Sequence, residues 1–255
     1  MQVLVFLDLD DTLFHSRAKC PEDQALSPVA YLPDGSAHSW MSARQQALWG
    51  LLEQGASLIP TTARDLGAFK RVDLPFTSWR ILDHGGVILN PQDQPDPDWL
   101  VHSAEAAAKT LPGLAALLAL TQDLIARKGL AVRARIIVDF DIPFYLVAKY
   151  RGDRTQDLDR LQSIWLDWVQ GQGDAYRLYR NGNNLVVLPR WLGKEYAVRA
   201  LIARLRPALT LGIGDSLSDA DFLAECDYAV LPRASQLFAA GLGALLRGPK
   251  AIPQP

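Results

Sequence analysis

Apolar residues come in short blocks along this chain, and the spacing of those blocks predicts its elements. Val3 to Leu7 is an unbroken apolar run rich in β-formers, the pattern of a strand buried on both faces of a parallel sheet. From Phe14 to His38 no period holds. Pro21, Pro28, Pro33 and Gly35 interrupt it, and a stretch of that length predicts an irregular, functional loop. "SWMSARQQALWGLLEQG" predicts a helix capped by Ser39 or Ser42 and stopped at Gly55. "ASLIPTTARD" predicts a second buried strand, with a helix starting near Ala63. Strand, helix, strand, helix is the opening of a doubly wound α/β sheet.

The pattern changes after about Leu82. "HGGVILNPQDQPDPDW" is turn-rich, and "LAALLALTQDLIARKG" predicts a helix with Pro112 near its first turn. "VRARIIVDF" and "PFYLVAKY" predict successive strands joined by a turn at Asp141-Ile142. "TQDLDRLQSIWLDWVQ" carries Leu158, Leu161, Trp165 and Trp168 at helical spacing, and its tryptophans read as core. "AYRLYRNGNNLVVLP" predicts a hairpin around Asn181-Gly182. A helix beside adjacent strands is α+β, a second domain inserted into the first. From Gly193 the alternation returns: a helix to Arg206, strand "LTLGIGD", a helix to Glu225, a short strand "YAVLP" and a final helix.

Composition narrows the function. The chain has 255 residues, 49% hydrophobic and 21% charged, with a formal charge of −2. That length can bury a real core, and the near-neutral balance argues against a nucleic-acid binder. Cys20 and Cys226 lie far apart without metal-ligand spacing, so neither a disulfide framework nor a zinc site is implied. The N-terminal apolar run lacks a basic flank and is too short for a signal peptide, and "LAALLAL" and "LVVL" fall short of a membrane span. The expectation is a soluble cytoplasmic protein with no nucleic-acid or membrane partner.

Polar clusters follow directly on the apolar strands: "DLDDT" after the first, "TTAR" after the second, "GDSLSD" after a later one, with "GKE" opening the helix upstream of it. In open α/β sheets the active site lies outside the carboxyl ends of the strands. Asp8 and Asp10 are two apart and share a side while the chain stays extended. Asp8, a backbone carbonyl after the turn and Asp215 would together make an oxygen-rich magnesium site. With a phosphate neutralised there, Asp8 can attack phosphorus as nucleophile while Asp10 serves as acid and then base. Thr62 and Lys194 would bind the transferring phosphoryl group. Thr62 alone is also a plain helix N-cap, with Thr61 competing for the role.

In that order, "DLDDTL", "PTTAR", "LGKEYA" and "GIGDSLSDADF" resemble the four motifs of the haloacid dehalogenase-like phosphatases. The insertion between the second and third motifs resembles the α/β cap of the Cof-type and sucrose-phosphate phosphatase-like branch. "GDSxxD" is most similar to the mannosyl-3-phosphoglycerate and sucrose-phosphate phosphatase group.

The resemblance implies an α/β fold: a Rossmann-like, doubly wound parallel-sheet core over residues 1–82 and 190–255, with an inserted α+β cap over 83–189. It implies a Mg2+-dependent phosphomonoesterase acting on a small phosphorylated metabolite, often a sugar. Asp8 and Asp10 would be catalytic, Thr62 and Lys194 phosphate-binding, and Asp8, Asp10, Asp215 and Asp219 the metal set, with Asp219 as ligand or support. Two departures stand out: Asp11 where glycine is frequent, and Ser218 where asparagine is usual.

A phosphomutase would suit the same fold. A glycosyltransferase using "DLD" and a non-catalytic phosphate-binding module are further alternatives. Arg64 reads as solvated, and His15, His38, His84 and His102 receive no role. Arg177, Tyr179, Asn181 and Asn184, on or beside the predicted hairpin, are candidates to face a substrate.

Overall fold

The structure is a computed structural model that describes residues 2–20, 24–152 and 154–241; the part of the expected core from 242 to 255 lies outside the described residues. The chain divides into two compact units, one of Met1–Thr62, Gly67–Ile81 and Lys194–Pro255, the other of Ala63–Leu66 and Leu82–Gly193.

The first unit starts with β1 (Val3–Leu7), in which Leu4 to Leu7 have no exposed surface, as an all-apolar central strand requires. The stretch expected to be irregular instead folds into β2 (His15–Ser16), β3 (Leu26–Tyr31) and β4 (Ala37–Ser42), an antiparallel sheet in the order β2-β4-β3. Its hairpin closes through "PDG", with Gly35 in the left-handed region at φ 82, a turn signal that the surrounding prolines obscure.

Helix α1 (Ala43–Glu53) is capped by Ser42, whose N–H and hydroxyl both donate to Gln45 Oε1 at 2.9 Å. Ser39 belongs to β4. After β5 (Ser57–Pro60) the backbone stays extended, because Thr61 N–H donates to the Leu7 carbonyl and Thr62 N–H to the Ile81 carbonyl. Helix α2 (Leu66–Phe69) therefore begins later than Ala63, and β6 (Arg80–Leu82) follows.

In the second unit, β7 (Val87–Leu89) precedes α3 (Pro97–Lys128), far longer than the helix expected around Pro112. Its start is Asp96-Pro97: the Asp96 carboxylate accepts from Trp99 N–H at 3.0 Å, and proline at the first position needs no donor. Pro112 thus sits in the helix interior, where its ring removes one N–H. Beside it Gly113 lets Tyr176 approach and donate its hydroxyl to the Thr110 carbonyl at 2.9 Å. A Cβ at Gly113 would lie 2.1 Å from that hydroxyl.

Gly129, left-handed at φ 59, ends α3. β8 (Val132–Asp139) and β9 (Ile142–Tyr150) turn at Phe140-Asp141, both at positive φ (49 and 61), one position before the expected pair. Helix α4 (Thr155–Gly171) follows, then β10 (Tyr176–Asn181) and β11 (Asn184–Pro189), the expected hairpin, which turns at Gly182-Asn183, one position beyond the expected pair. The sheet runs β10-β11-β9-β8.

One face of that sheet packs on α3 and α4 through Leu114, Leu117, Leu146, Leu158, Leu161, Trp165, Leu185 and Val187. Trp165 is fully buried and donates its indole N–H to Thr121 Oγ1 at 2.9 Å, so it is core, as its helical spacing indicates. Trp165→Ala is expected to destabilise this unit by about 3–5 kcal/mol through cavity formation and a lost hydrogen bond, read by denaturant unfolding. A loss below about 1 kcal/mol would show that the site is not close-packed.

The chain returns to the first unit with α5 (Lys194–Leu205), β12 (Leu209–Ile213), α6 (Ala220–Leu223), β13 (Tyr228–Val230) and α7 (Gln236–Ala240). Helix α6 is shorter than expected because a 3-10 turn, Leu217–Asp219, takes its first residues. The sheet order is β13-β12-β1-β5, all neighbours parallel, so these carboxyl ends share one rim. Among the described residues, no helix is long and apolar enough to cross a membrane.

Candidate active site

Asp8 follows β1 directly, and its N–H donates to the Ile213 carbonyl at 2.9 Å, tying it to the end of β12. Asp215 comes two residues after that strand. Their carboxylates and that of Asp219 are buried, with ligand atoms within 4.8 Å of one another. Lys194, only 3% exposed at the first turn of α5, donates to Asp8 Oδ1 and to Asp219 Oδ1, each at 2.6 Å. Three of the predicted site's carboxylates and its lysine are thus in one cluster, drawn from segments far apart in the sequence.

The electrostatics follow from burial. Desolvation raises the Asp8 pKa well above the ordinary carboxylate value; Lys194 opposes this, and the charges of Asp219 and Asp215 add to it. Asp215 is pushed up to about 6, by burial first and then by the charges of Asp219 and Asp11. Asp219 goes the other way. Burial raises its pKa, but the Lys194 charge and the donors from Lys194 and Ser216 outweigh that and lower it. For Lys194, burial lowers the pKa, yet the charges of Asp219 and Asp8 raise it overall, so the ammonium is retained.

The set carries three carboxylates against one ammonium, and every candidate ligand atom among them is a carboxylate oxygen. That donor chemistry fits a hard divalent cation such as magnesium.

Two residues hold the acids in place. Thr12 Oγ1 donates to Asp215 Oδ1 at 3.1 Å, and Ser216 donates to Asp219 Oδ2 through its N–H at 2.9 Å and its hydroxyl at 2.8 Å. Asp215 N–H reaches the same oxygen at 3.2 Å. The backbone folds this tightly because position 214 is glycine: a Cβ there would meet the Asp219 side chain at 2.8 Å. Ser216 was recognisable from its S-x-x-D spacing, a capping-box signature, and Thr12 from its place in "DLDDT".

Asp10 is exposed and lies outside the three-carboxylate set. Thr62 is buried one residue beyond Thr61, whose hydroxyl donates to the Ile59 carbonyl at 3.1 Å. The departure at position 11 has a physical account. Asp11 takes a left-handed conformation (φ 66) and pairs with Lys19 and His15, which hold its pKa low against the effect of burial. Ser218 shares a hydrogen bond with Ser216 Oγ at 2.8 Å.

In the second unit, Arg177 donates to the Leu192 carbonyl at 2.7 Å and lies over the Tyr179 ring, while Asn184 donates to the Asn181 carbonyl. His84, given no role from sequence, is buried edge-on to Tyr145.

No protein-family model matches this sequence, and no curated protein matches it. Solved structures do match its fold. The trehalose-6-phosphate phosphatase C-terminal domain of C. albicans aligns with TM-score 0.57 and 16% identity, covering 87% of this chain and 72% of that one. The sucrose-phosphatase of Synechocystis, solved with sucrose and phosphate, aligns with TM-score 0.57 and 18% identity over 95% of this chain and 89% of that one. A haloacid dehalogenase-like hydrolase from B. subtilis aligns with TM-score 0.50 and 12% identity over 91% and 95%.

The fold is therefore the haloacid dehalogenase-like one, an α/β core with an inserted second unit and a buried aspartate cluster at the strand ends. Within that fold, the similarity extends to the structures of trehalose-6-phosphate and sucrose phosphatases.

Proposed function

We propose that this chain is a magnesium-dependent phosphomonoesterase that works through an aspartyl-phosphate on a small phosphorylated metabolite, a sugar phosphate or a phosphoglycerate glycoside. The observation that carries the reading is the Lys194 ammonium bridging Asp8 and Asp219 beside Asp215. Residues 1–82 and 190–255 form the catalytic core in this reading, and 83–189 the cap that selects the substrate.

Lys194 holds Asp8 by Oδ1, which leaves Oδ2 to attack phosphorus. As the Asp8–phosphorus bond forms and the ester bond breaks, Asp10 gives its proton to the departing oxygen. Water then attacks the phosphorus, Asp10 takes a proton from it, and the Asp8–phosphate bond breaks to release inorganic phosphate. Thr62 and Lys194 donate to the transferring phosphoryl oxygens. Magnesium, which the carboxylates of Asp8, Asp215 and Asp219 would hold together with the Asp10 backbone carbonyl, would neutralise the phosphate charge and keep Asp8 ionised despite its burial. With Asp219 already accepting from Lys194 and Ser216, its main part in this set is to support the others.

The test is phosphate release from a panel of sugar phosphates, phosphoglycerate glycosides and nucleotides with magnesium present. Turnover of a sugar phosphate that chelation abolishes is the expected result, and silence across the panel would reject the reading. Isomerised sugar phosphate without net phosphate release would identify a mutase instead.

A further inference from the structure

The second unit holds a carboxylate that the proposed chemistry does not use. Asp83 has no exposed surface, and among the described residues no N–H or hydroxyl donates to either of its oxygens. It begins three successive left-handed residues, Asp83, His84 and Gly85 (φ 50, 54 and 96), a conformation that costs non-glycine residues about 1–2 kcal/mol each. Surroundings that hold such a turn must over-determine it. They do: Gly86 sits where a Cβ would come within 2.4 Å of the Phe144 ring, and Trp99 donates to the Gly85 carbonyl at 2.9 Å.

The charged groups facing Asp83 are mostly of its own sign. Asp139 at the end of β8 lies within hydrogen-bonding reach, and Asp65 adds its charge from the 63–66 segment. Tyr145 on β9 packs against His84 and donates its hydroxyl to the Ala63 carbonyl at 3.0 Å. Arg135 on β8 is the cation whose charge reaches Tyr145, and it is exposed. Asp139 already accepts two backbone donors, Leu66 N–H at 2.6 Å and Phe140 N–H at 3.0 Å. Asp83 accepts none. Two adjacent ionised carboxylates, one of them buried without a donor, would be untenable, whereas a neutral acid at Asp83 has a proton to give.

We propose that Asp83 and Asp139 share a single proton, a carboxylic acid donating to a carboxylate, and that this pair is a proton-binding latch on the 63–66 segment. Three bonds fix that segment from within the second unit: Asp139 to Leu66 N–H, Tyr145 to the Ala63 carbonyl, and Asp83 N–H to the Arg64 carbonyl at 2.9 Å. Losing the proton sets the charges of Asp83, Asp139 and Asp65 against one another and loosens what they hold. Thr62, the phosphate candidate, is the residue just before this segment.

The sign of the linkage is definite. Burial, then the Asp139 charge and its hydrogen bond, raise Asp83 from 3.8 to about 9, so the folded chain keeps a proton that the unfolded chain has released. Stability is greatest below the unfolded value and falls as pH rises toward about 9, then levels off.

Asp83→Asn keeps the shape and the donor but cannot ionise. Denaturant unfolding of the parent and of this variant should show their unfolding constants diverging about tenfold per pH unit between about pH 6 and 9. Parallel curves would overturn the proposal. So would parallel curves with stabilisation by added calcium or potassium that Asp83→Asn loses, since a metal ion would then occupy the place of the proton. Should Asp83→Asn fail to fold, infrared spectra in an Asp8→Asn background settle the matter. A protonated-carboxyl band that persists at neutral pH and disappears above about pH 9 is expected, and its absence at neutral pH refutes the latch.

Discussion

Asp8→Asn should leave the protein folded and without turnover, with phosphate release falling by at least about a thousandfold, because a carboxamide forms no acyl phosphate. The fold should survive because the change removes a buried charge rather than a shape. Asp8 is the acid whose burial and acidic neighbours raise its pKa, so neutralising it relieves strain in the cluster. The carboxamide oxygen of the variant can still accept from Lys194, which keeps Asp219 as its second partner. Unfolding measured without magnesium should accordingly show equal or higher stability. Residual activity above about a tenth of the parent would exclude Asp8 as nucleophile and require another acceptor.

Lys194→Met is the complementary change, with a large expected effect on stability. It removes the one ammonium that Asp8 and Asp219 share and leaves both carboxylates buried. Breaking a buried ion pair from one side costs about 3–5 kcal/mol, which for a chain of this size corresponds to a melting-temperature loss of about 6–20 °C. The pH dependence has a definite sign. Asp219, held low by Lys194 in the parent, would shift up, so the variant should recover relative stability as pH falls toward 4 and lose it as pH rises. Added magnesium should restore part of the loss without restoring turnover. A variant that melts like the parent at neutral pH without metal would show that Lys194 is not the counter-ion drawn here.

How much of this was readable beforehand depended on whether the signal was local. Asp8, Lys194, Asp215 and Asp219 each occupy a short polar motif at a strand end or helix start, and the parallel order of β1, β5 and β12 brings those ends to one rim. Gly182 and the apolar spacing of α4 were equally local signals. The misreadings came where one residue type carried two meanings. Proline density across 14–38 read as irregular chain, although Pro28 lies within β3 and Pro33 in the hairpin turn. Pro112 read as a helix start, whereas the Asp96-Pro97 cap lay well upstream. Helix α2 was placed too early because Thr62 and Asp83 bond across to β6 and Arg64, pairings no local pattern reports. Asp83 itself was illegible for the same reason: its burial and its nearness to Asp139 arise only when distant segments meet.

The bond between Lys194 and Asp8 spans 186 positions of chain. At about 5–20 residues per second, Asp8 leaves the ribosome about ten to forty seconds before its counter-ion does. During that interval β1 has neither β12 beside it nor a cation beneath its acid, so this greasy strand must wait in a nascent chain with an unpaired edge. A chaperone that shields such edges would find a target in Val3–Leu7, and synthesis slowed between the two positions would lengthen the exposure in proportion.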